Sequence, residues 1–253
     1  MGRRWILVLL LFMLPANVYA TETNGKQVWN DIAANTLEFG KQEDFERAKV
    51  ELDNFSKSFP GDLGSELTST ELRVILNAHD RAIKAVTSVD KSSEQRLQSL
   101  TEFRLAVDAL VAEEQPMWHQ TDDQLLSLID EMATAIEHVN RDGYEISKRK
   151  FLDTYSTIRP AMAIDLSPDL QQRLDSHIAF IENYASERDS EFIGQLQNMH
   201  DDFETAYHDS TSQESSLLWL IISIGGSITL TLIYVLYRKY QGEKNKVKRK
   251  QVD

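Results

Sequence analysis

Histidines are the strongest candidates for chemistry in this sequence, because imidazole is both a metal ligand and a base that titrates near neutral pH. The chain has six of them. His200, Glu204 and His208 recur every four residues, so they share one face of a helix and offer two or three ligands to a metal ion. In so acidic a chain the same spacing is also typical of a solvated helix face, and we assign no metal or cofactor to it.

Two further histidines, His79 and His177, lie on or beside apolar stripes. A half-buried histidine that hydrogen-bonds to a neighbour explains each position. A pair that senses pH is the alternative.

Nucleophile motifs are absent from the sequence. It contains no cysteine, no Gly-x-Ser-x-Gly and no glycine-rich phosphate loop. Acidic runs such as Asp122-Asp123 and residues 201–204 are typical of solvated helix faces. The sequence therefore predicts no catalytic residue and a protein that is not an enzyme.

The N-terminus has the pattern of a signal peptide. Arg3 and Arg4 precede an apolar run over residues 6–14, and Ala20 ends a small-residue cleavage site. An uncleaved anchor is the alternative, but the run is too short to cross roughly 30 Å of hydrocarbon as a helix. We predict that residues 1–20 are a signal peptide and that the following chain is exported.

A second apolar segment, residues 217–237, is free of charge. As a helix it would be about 31 Å long, enough to span a bilayer. A linker, residues 208–216, precedes it, and residues 238–253 carry seven Lys or Arg, which places that tail in the cytoplasm. A buried core helix is the alternative, but the run is long and its flank is basic. We predict a single-pass membrane protein whose ectodomain lies outside the cytoplasm.

The charge of the predicted ectodomain restricts its partners. Residues 21–216 hold 18 of the 27 Lys and Arg and 38 of the 40 Asp and Glu, a net charge near −20. Such a surface repels nucleic acid and anionic lipid. It is compatible with a basic partner or with divalent cations, and a generic solubilising surface is the alternative.

Apolar residues in this region recur at spacings of three and four, which predicts an all-α fold. Thr68 with Glu71 predicts a capping box, and Ser167 with Pro168 a second helix start. We predict two tandem helical-bundle units, residues 21–113 and 125–207, joined by a linker over residues 114–124.

The order of similar residues repeats between these units, at offsets of 99, 100, 98 and then 89. The pairs include Phe45 with Tyr144, His79 with His177, and Phe103 with Phe192. We hypothesise an internal duplication, with a chance match of helical stripes as the alternative. Trp118, in the linker, is either a wedge between the units or an ordinary core tryptophan.

Residues 158–168 form an unusually apolar connection. They either pack into the core or, if exposed, form a docking surface for another protein.

Three segments, residues 45–59, 108–118 and 151–166, resemble the YpjB family of sporulation-associated membrane proteins. The resemblance implies an endospore-forming source, a signal peptide, a C-terminal anchor and an ectodomain on the outer face of a membrane. It implies no active-site residue.

We predict a membrane-anchored helical protein associated with sporulation that acts through protein–protein contacts. An extracytoplasmic sensor or module that binds a small ligand or cation is the alternative, and an enzyme of unidentified type is the third.

Overall fold

The computed structural model describes residues 22–59, 67–112, 115–183 and 191–208, with shorter pieces at 223–229, 231–232 and 234. All regular secondary structure in these ranges is helical, which confirms the all-α prediction. The helices are α1 (Glu22–Lys41), α2 (Phe45–Ser58), α3 (Ser69–Thr87), α4 (Ser93–Val111), a 3-10 helix (Met117–Thr121), α5 (Asp122–Glu137), α6 (Arg141–Asp165), α7 (Pro168–Asn183) and α8 (191–208).

Helix starts follow the capping signals in the sequence. The Glu71 amide donates to the Thr68 hydroxyl at 3.2 Å and the Thr68 amide to the Glu71 carboxylate at 2.6 Å, so the predicted capping box of α3 is confirmed. Helix α4 begins with a second box. The predicted start of α7 is also confirmed, since the Leu170 amide donates to Ser167 Oγ at 3.4 Å. Such caps each contribute about 1 kcal/mol.

Two hydrophobic cores lie within one compact unit that extends to Tyr207. Helices α1–α3 supply the first core and α5–α8 the second, while α4 enters both. Its Phe103 and Val107 belong to the first core, and its Leu105 and Ala109 to the second. The described residues of the predicted linker form the 3-10 helix and the start of α5. The division into separate units stays a prediction.

The same tight turn joins the first two helices of each half. Its second residue has a left-handed backbone, with φ of 57° at Glu43 and 53° at Val139. The third residue, Asp44 or Asn140, caps the next helix with its side chain. The backbone bonds also correspond, since the Asp44 and Asn140 amides both donate to a carbonyl five residues back. These turns are 96 residues apart.

Aromatic packing repeats as well, in a register that differs from the sequence match. Phe55 meets Phe103 edge-on with ring centroids 5.0 Å apart, and Phe151 meets Phe203 edge-on at 5.4 Å. These pairs are separated by 96 and 100 residues. Phe192, which the sequence pattern pairs with Phe103, instead packs on Phe180 at 5.1 Å. The helix order supports the hypothesised duplication, which itself stays a prediction.

Residues 158–168 are not a loop for most of their length, contrary to our prediction. Helix α6 continues through Pro160 to Asp165. An internal proline costs about 3 kcal/mol because it removes a hydrogen bond and crowds the preceding turn. Burial offsets this cost, at about 1.5–3 kcal/mol for each large apolar side chain. The buried residues here are Ile158, Ala161, Met162 and Leu166.

The predicted signal peptide, tail and most of the juxtamembrane linker lie outside the described residues. The predicted span, residues 217–237, is described only in part, where its backbone is helical. Among the described residues, no helix combines the length and the hydropathy needed to cross a membrane.

Candidate functional site

The two matched histidines lie in different halves of the fold. His79 packs against the ring of Phe55, and its Nε2–H donates to the Leu52 carbonyl oxygen at 2.9 Å. His177 Nε2 lies 2.8 Å from a carboxylate oxygen of Asp202. Each is a half-buried histidine with its own neighbour, and the two do not form one site.

The histidine on α8 contributes to a small acidic cluster. Ligand atoms of His200, Asp201 and Glu204 lie within 4.8 Å of one another, and Asp130 of α5 is 3.8 Å from His200. His208 is not part of this group. The carboxylates of Asp130 and Asp201 are 70% and 80% exposed, as on a solvated helix face. The structure adds no reason to assign a metal there.

Trp118 joins the end of α6 to the connection between the halves. Its side chain is fully buried, and its Nε1–H donates to Asp165 at 2.5 Å. Its ring packs against Tyr207 of α8 with centroids 5.0 Å apart. Asp108 of α4 accepts a bond from the Met117 amide at 2.5 Å. The tryptophan is therefore part of the second core and also fixes the connecting segment.

Asp165 has an unusual environment for a carboxyl group. Burial raises its pKa to about 6, and the charge of Asp108 acts in the same direction, while the bond from Trp118 opposes them. A group of this kind changes charge in mildly acidic solution. Asp165 is half-buried, and it does not line the groove between α3 and α6.

A groove lies between α3 on one side and α6 and α7 on the other, with α4 at its base. Its volume is about 560 Å³, within the range of binding pockets. Its lining comes from both halves of the fold: Thr70, Arg73, Val74, Asn77 and Arg81 of α3, Glu102 of α4, Tyr155, Ser156, Arg159, Pro160, Met162 and Ala163 of α6, and Leu166, Gln171, Leu174 and Asp175 around α7.

The α6–α7 side of the groove is held by a network centred on Asp175. The Arg159 guanidinium donates to both of its carboxylate oxygens, at 2.9 and 2.8 Å, and the Tyr155 hydroxyl donates at 3.0 Å. The bond from Arg159 is the main cause of the lowered pKa of Asp175. Burial is the main cause of the raised pKa of Tyr155. Both groups therefore keep their usual charge at neutral pH.

Gln171 closes the end of α6 at the same wall. Its Nε2 donates to the carbonyl oxygens of Ala163 and Leu166, at 3.1 and 2.8 Å, with a longer contact of 3.5 Å to Met162. These carbonyls belong to the last turn and the C-cap of the helix, where no further helical amide is available to donate to them. The side chain thus ties α7 to α6 and makes this wall rigid.

The α3 side of the groove is different, because most of its polar groups are unengaged. Arg81 Nε donates to Glu102 at 3.1 Å, and burial raises the pKa of Glu102 against the opposing effect of Arg81. In the described part of the chain, the side chains of Thr70, Arg73 and Asn77 have neither a hydrogen bond nor an ion pair. These three groups line the groove with free hydrogen-bonding capacity.

Sequence reasoning found only one wall of this groove. The apolar segment over residues 158–168 was considered as a docking surface, and half of it does line the groove. Arg73, Asn77 and Arg81 were missed, although their spacing of four places them on one helix face. That spacing was the available signal. Nothing local connects it to Arg159, which comes from the other half of the chain.

Comparison with known proteins identifies the family. A family profile described as Sporulation protein YpjB (SpoYpjB) matches residues 27–249, which is most of the chain. The chain belongs to the YpjB family. The resemblance seen in three segments of the sequence is therefore confirmed, and the match covers the groove and all of its walls.

A YpjB protein of Bacillus subtilis (strain 168), named "Uncharacterized protein YpjB", is 25% identical over 252 residues. The match covers 96% of each chain. No solved structure matches this chain. The YpjB family connects the chain with sporulation. Within the described residues, the groove is one feature that offers a binding site.

Proposed function

We propose that this YpjB-family chain is a membrane-anchored, extracytoplasmic protein that serves sporulation by binding another protein, without catalysis. The observation that carries the proposal is the groove, because its α6–α7 wall is rigid while its α3 wall keeps unengaged donors. Preorganised polar groups beside apolar surface are typical of recognition sites.

The chemistry of the groove supports binding over catalysis. Its two carboxylates, Glu102 and Asp175, are each paired with an arginine. Its hydroxyl groups have no imidazole beside them among the described lining residues. An imidazole within hydrogen-bond reach is one of the common ways to activate a hydroxyl nucleophile.

Membrane anchoring is supported by the sequence of the C-terminal region. Residues 217–237 are uncharged and are followed by seven basic residues.

The first test is localisation and topology. We expect a C-terminal fluorescent fusion at native expression, in the source organism, to be membrane-bound and to redistribute to the septum or forespore during sporulation. Protease added to protoplasts should remove residues 21–216 and leave the C-terminal tag protected. A soluble protein, a digested tag, or uniform fluorescence unchanged by starvation would contradict the proposal.

The second test is contact at the groove. We expect a photo-crosslinking amino acid at Asn77 to trap one defined protein in sporulating cells, and the same probe at the exposed Lys150 of α6, outside the groove, to trap none. Equal products from both positions would show that the groove is not the contact surface.

A small-ligand sensor is the second candidate, favoured by the groove volume of about 560 Å³. A sensor predicts that one metabolite raises the Tm of the purified full-length protein in detergent by mass action. A protein-contact role predicts no such rise.

A further inference from the structure

The polar groups on the α3 side of the groove form one row, and all of them except Arg81 are unengaged among the described residues. Thr70, Arg73, Asn77 and Arg81 are spaced at three and four residues, so they share a face. The row from Thr70 to Arg81 is about 16 Å long at the rise of an α-helix. An extended peptide of about five residues has that length. The site therefore has the dimension of a short chain segment.

Charge in the groove is opposite to that of its surroundings. Three arginines and two carboxylates line it, for a net charge of +1, whereas residues 21–216 carry a net charge near −20. Arg81 and Arg159 are already paired with carboxylates, but Arg73 is exposed and unpaired among the described residues. Screening limits the interaction between exposed charges to about 8 Å at physiological salt. A short anionic segment is therefore attracted by the arginines of the groove, whereas a large acidic protein would be repelled by the acidic surface around it.

Apolar surface stands opposite the row on α3. Pro160 and Ala163 of α6 are half-buried, as is Val74 beside Arg73. An apolar side chain placed here would lose water while a neighbouring carboxylate meets Arg73. Arginine is the side chain best suited to such a carboxylate, because its planar fork donates two parallel hydrogen bonds.

We propose that the groove binds a short acidic segment of a partner protein, with a carboxylate on Arg73 and an adjacent apolar side chain against Val74, Pro160 and Ala163. This inference rests on the proposed protein-binding function and names the chemistry of the segment. The partner as a whole is neutral or basic, since the rest of the surface that it approaches is acidic.

The test is selection from a random twelve-residue peptide library displayed on phage, against the full-length protein in detergent micelles. We expect enriched peptides to carry Asp or Glu within two positions of an apolar residue. Synthetic copies in which those acids are replaced by Asn or Gln should lose binding. Binding should also weaken as salt rises, because the contact is ionic.

Two matched arginine variants test whether the selected peptides bind at Arg73. Arg73→Gln should weaken binding of the selected peptides about tenfold, as expected for a lost charge-assisted pair. Arg149→Gln, on an exposed arginine of α6 outside the groove, should leave binding unchanged. Circular dichroism and thermal melts of both variants should match the wild type, which separates lost binding from misfolding.

Three results would overturn the inference: no enrichment, enrichment without acidic residues, or equal binding by the two variants. If topology and crosslinking at Asn77 still hold, the protein-binding function survives and only the acidic segment is wrong. If the topology or the crosslinking fails, the proposed function is wrong regardless of the peptides.

Discussion

At the scale of single residues, the surroundings change the charge of Asp165 and the backbone conformation of Val139 affects stability. Burial disfavours the negative charge of Asp165, and the charge of Asp108 acts in the same direction, although the bond from Trp118 favours the charged form. Val139 has a left-handed backbone with φ of 53° and is 90% exposed, so its side chain gains little from burial. A β-branched residue is strained in that conformation.

Replacing Asp165 by Asn should stabilise the protein at neutral pH. The folded pKa of about 6 lies above the ordinary value of 3.8. The wild type therefore loses stability as pH rises from about 4 to 6, by up to about 3 kcal/mol. Asn keeps an acceptor for Trp118 and has no charge. Denaturant unfolding of Asp165→Asn and wild type should differ at pH 7.5 and converge near pH 4.

Asp153→Asn is the control for that experiment, because Asp153 is exposed on the same helix. As a surface substitution it should change the free energy of unfolding at pH 7.5 by no more than about 0.5 kcal/mol. A destabilisation of Asp165→Asn that is equal at every pH would show that the charge of Asp165 is not disfavoured in the folded state.

Replacing Val139 by Gly should raise stability by about 0.5–1 kcal/mol, because glycine adopts positive φ without strain. Val89 is the control: it is 93% exposed but does not have a positive φ. Val89→Gly should lower stability by about 0.5–1 kcal/mol through the added entropy of the unfolded chain. Equal effects of the two substitutions, measured by urea unfolding, would contradict the assigned strain.

At the scale of elements, the ends of helices decide the shape of the groove. Helix α6 passes through Pro160 because its apolar face continues into the core. Its end is satisfied by Gln171, a side chain from the next helix. The α6–α7 wall of the groove thus depends on this amide group as well as on the network around Asp175.

Replacing Gln171 by Ala should lower the free energy of unfolding by about 1–2 kcal/mol, since carbonyls at the end of α6 lose their donor. Gln172→Ala is the matched control, because this neighbouring residue is exposed and its side chain has no bond among the described residues. We also expect faster hydrogen exchange in the last turn of α6 for the first variant alone. Indistinguishable variants would show that the amide does not hold the wall.

At the scale of the whole molecule, α4 joins the two cores. One face of this helix packs into the first core and another face into the second. Helix α6 runs beside α4 in the same direction, because Gln98 hydrogen-bonds to Ser156 near one end and the charge of Asp108 raises the pKa of Asp165 near the other. A helix shared in this way couples the stability of both halves.

A cavity in the first core should therefore unfold both halves together. Leu52→Ala, at a fully buried position, should cost about 2–5 kcal/mol. The fluorescence of Trp29 reports on the first core and that of Trp118 on the second. Two full-length proteins are compared, one that keeps only Trp29 and one that keeps only Trp118, with the other three tryptophans replaced by Phe. Leu52→Ala should lower the Tm measured by fluorescence to the same extent in both. A shift seen by Trp29 alone would mean that the halves unfold independently.

The amino-acid sequence by itself determined the helical class, several helix starts and the family. These features depend on residues within about four positions of each other, such as the capping box of Thr68 and Glu71, or on patterns spread along the chain. Local signals of this kind do not require knowledge of the packing.

Only the tertiary structure decided the register of the two halves, the continuation of α6 and the groove. The sequence pattern matched Phe103 with Phe192, but in the packed structure the equivalent of Phe103 is Phe203, since each meets another phenylalanine edge-on. A proline usually ends a helix, and here burial outweighs its cost. Arg73 and Arg159 lie far apart in the chain and line one groove because α3 and α6 both pack around α4, a relation that no local pattern contains.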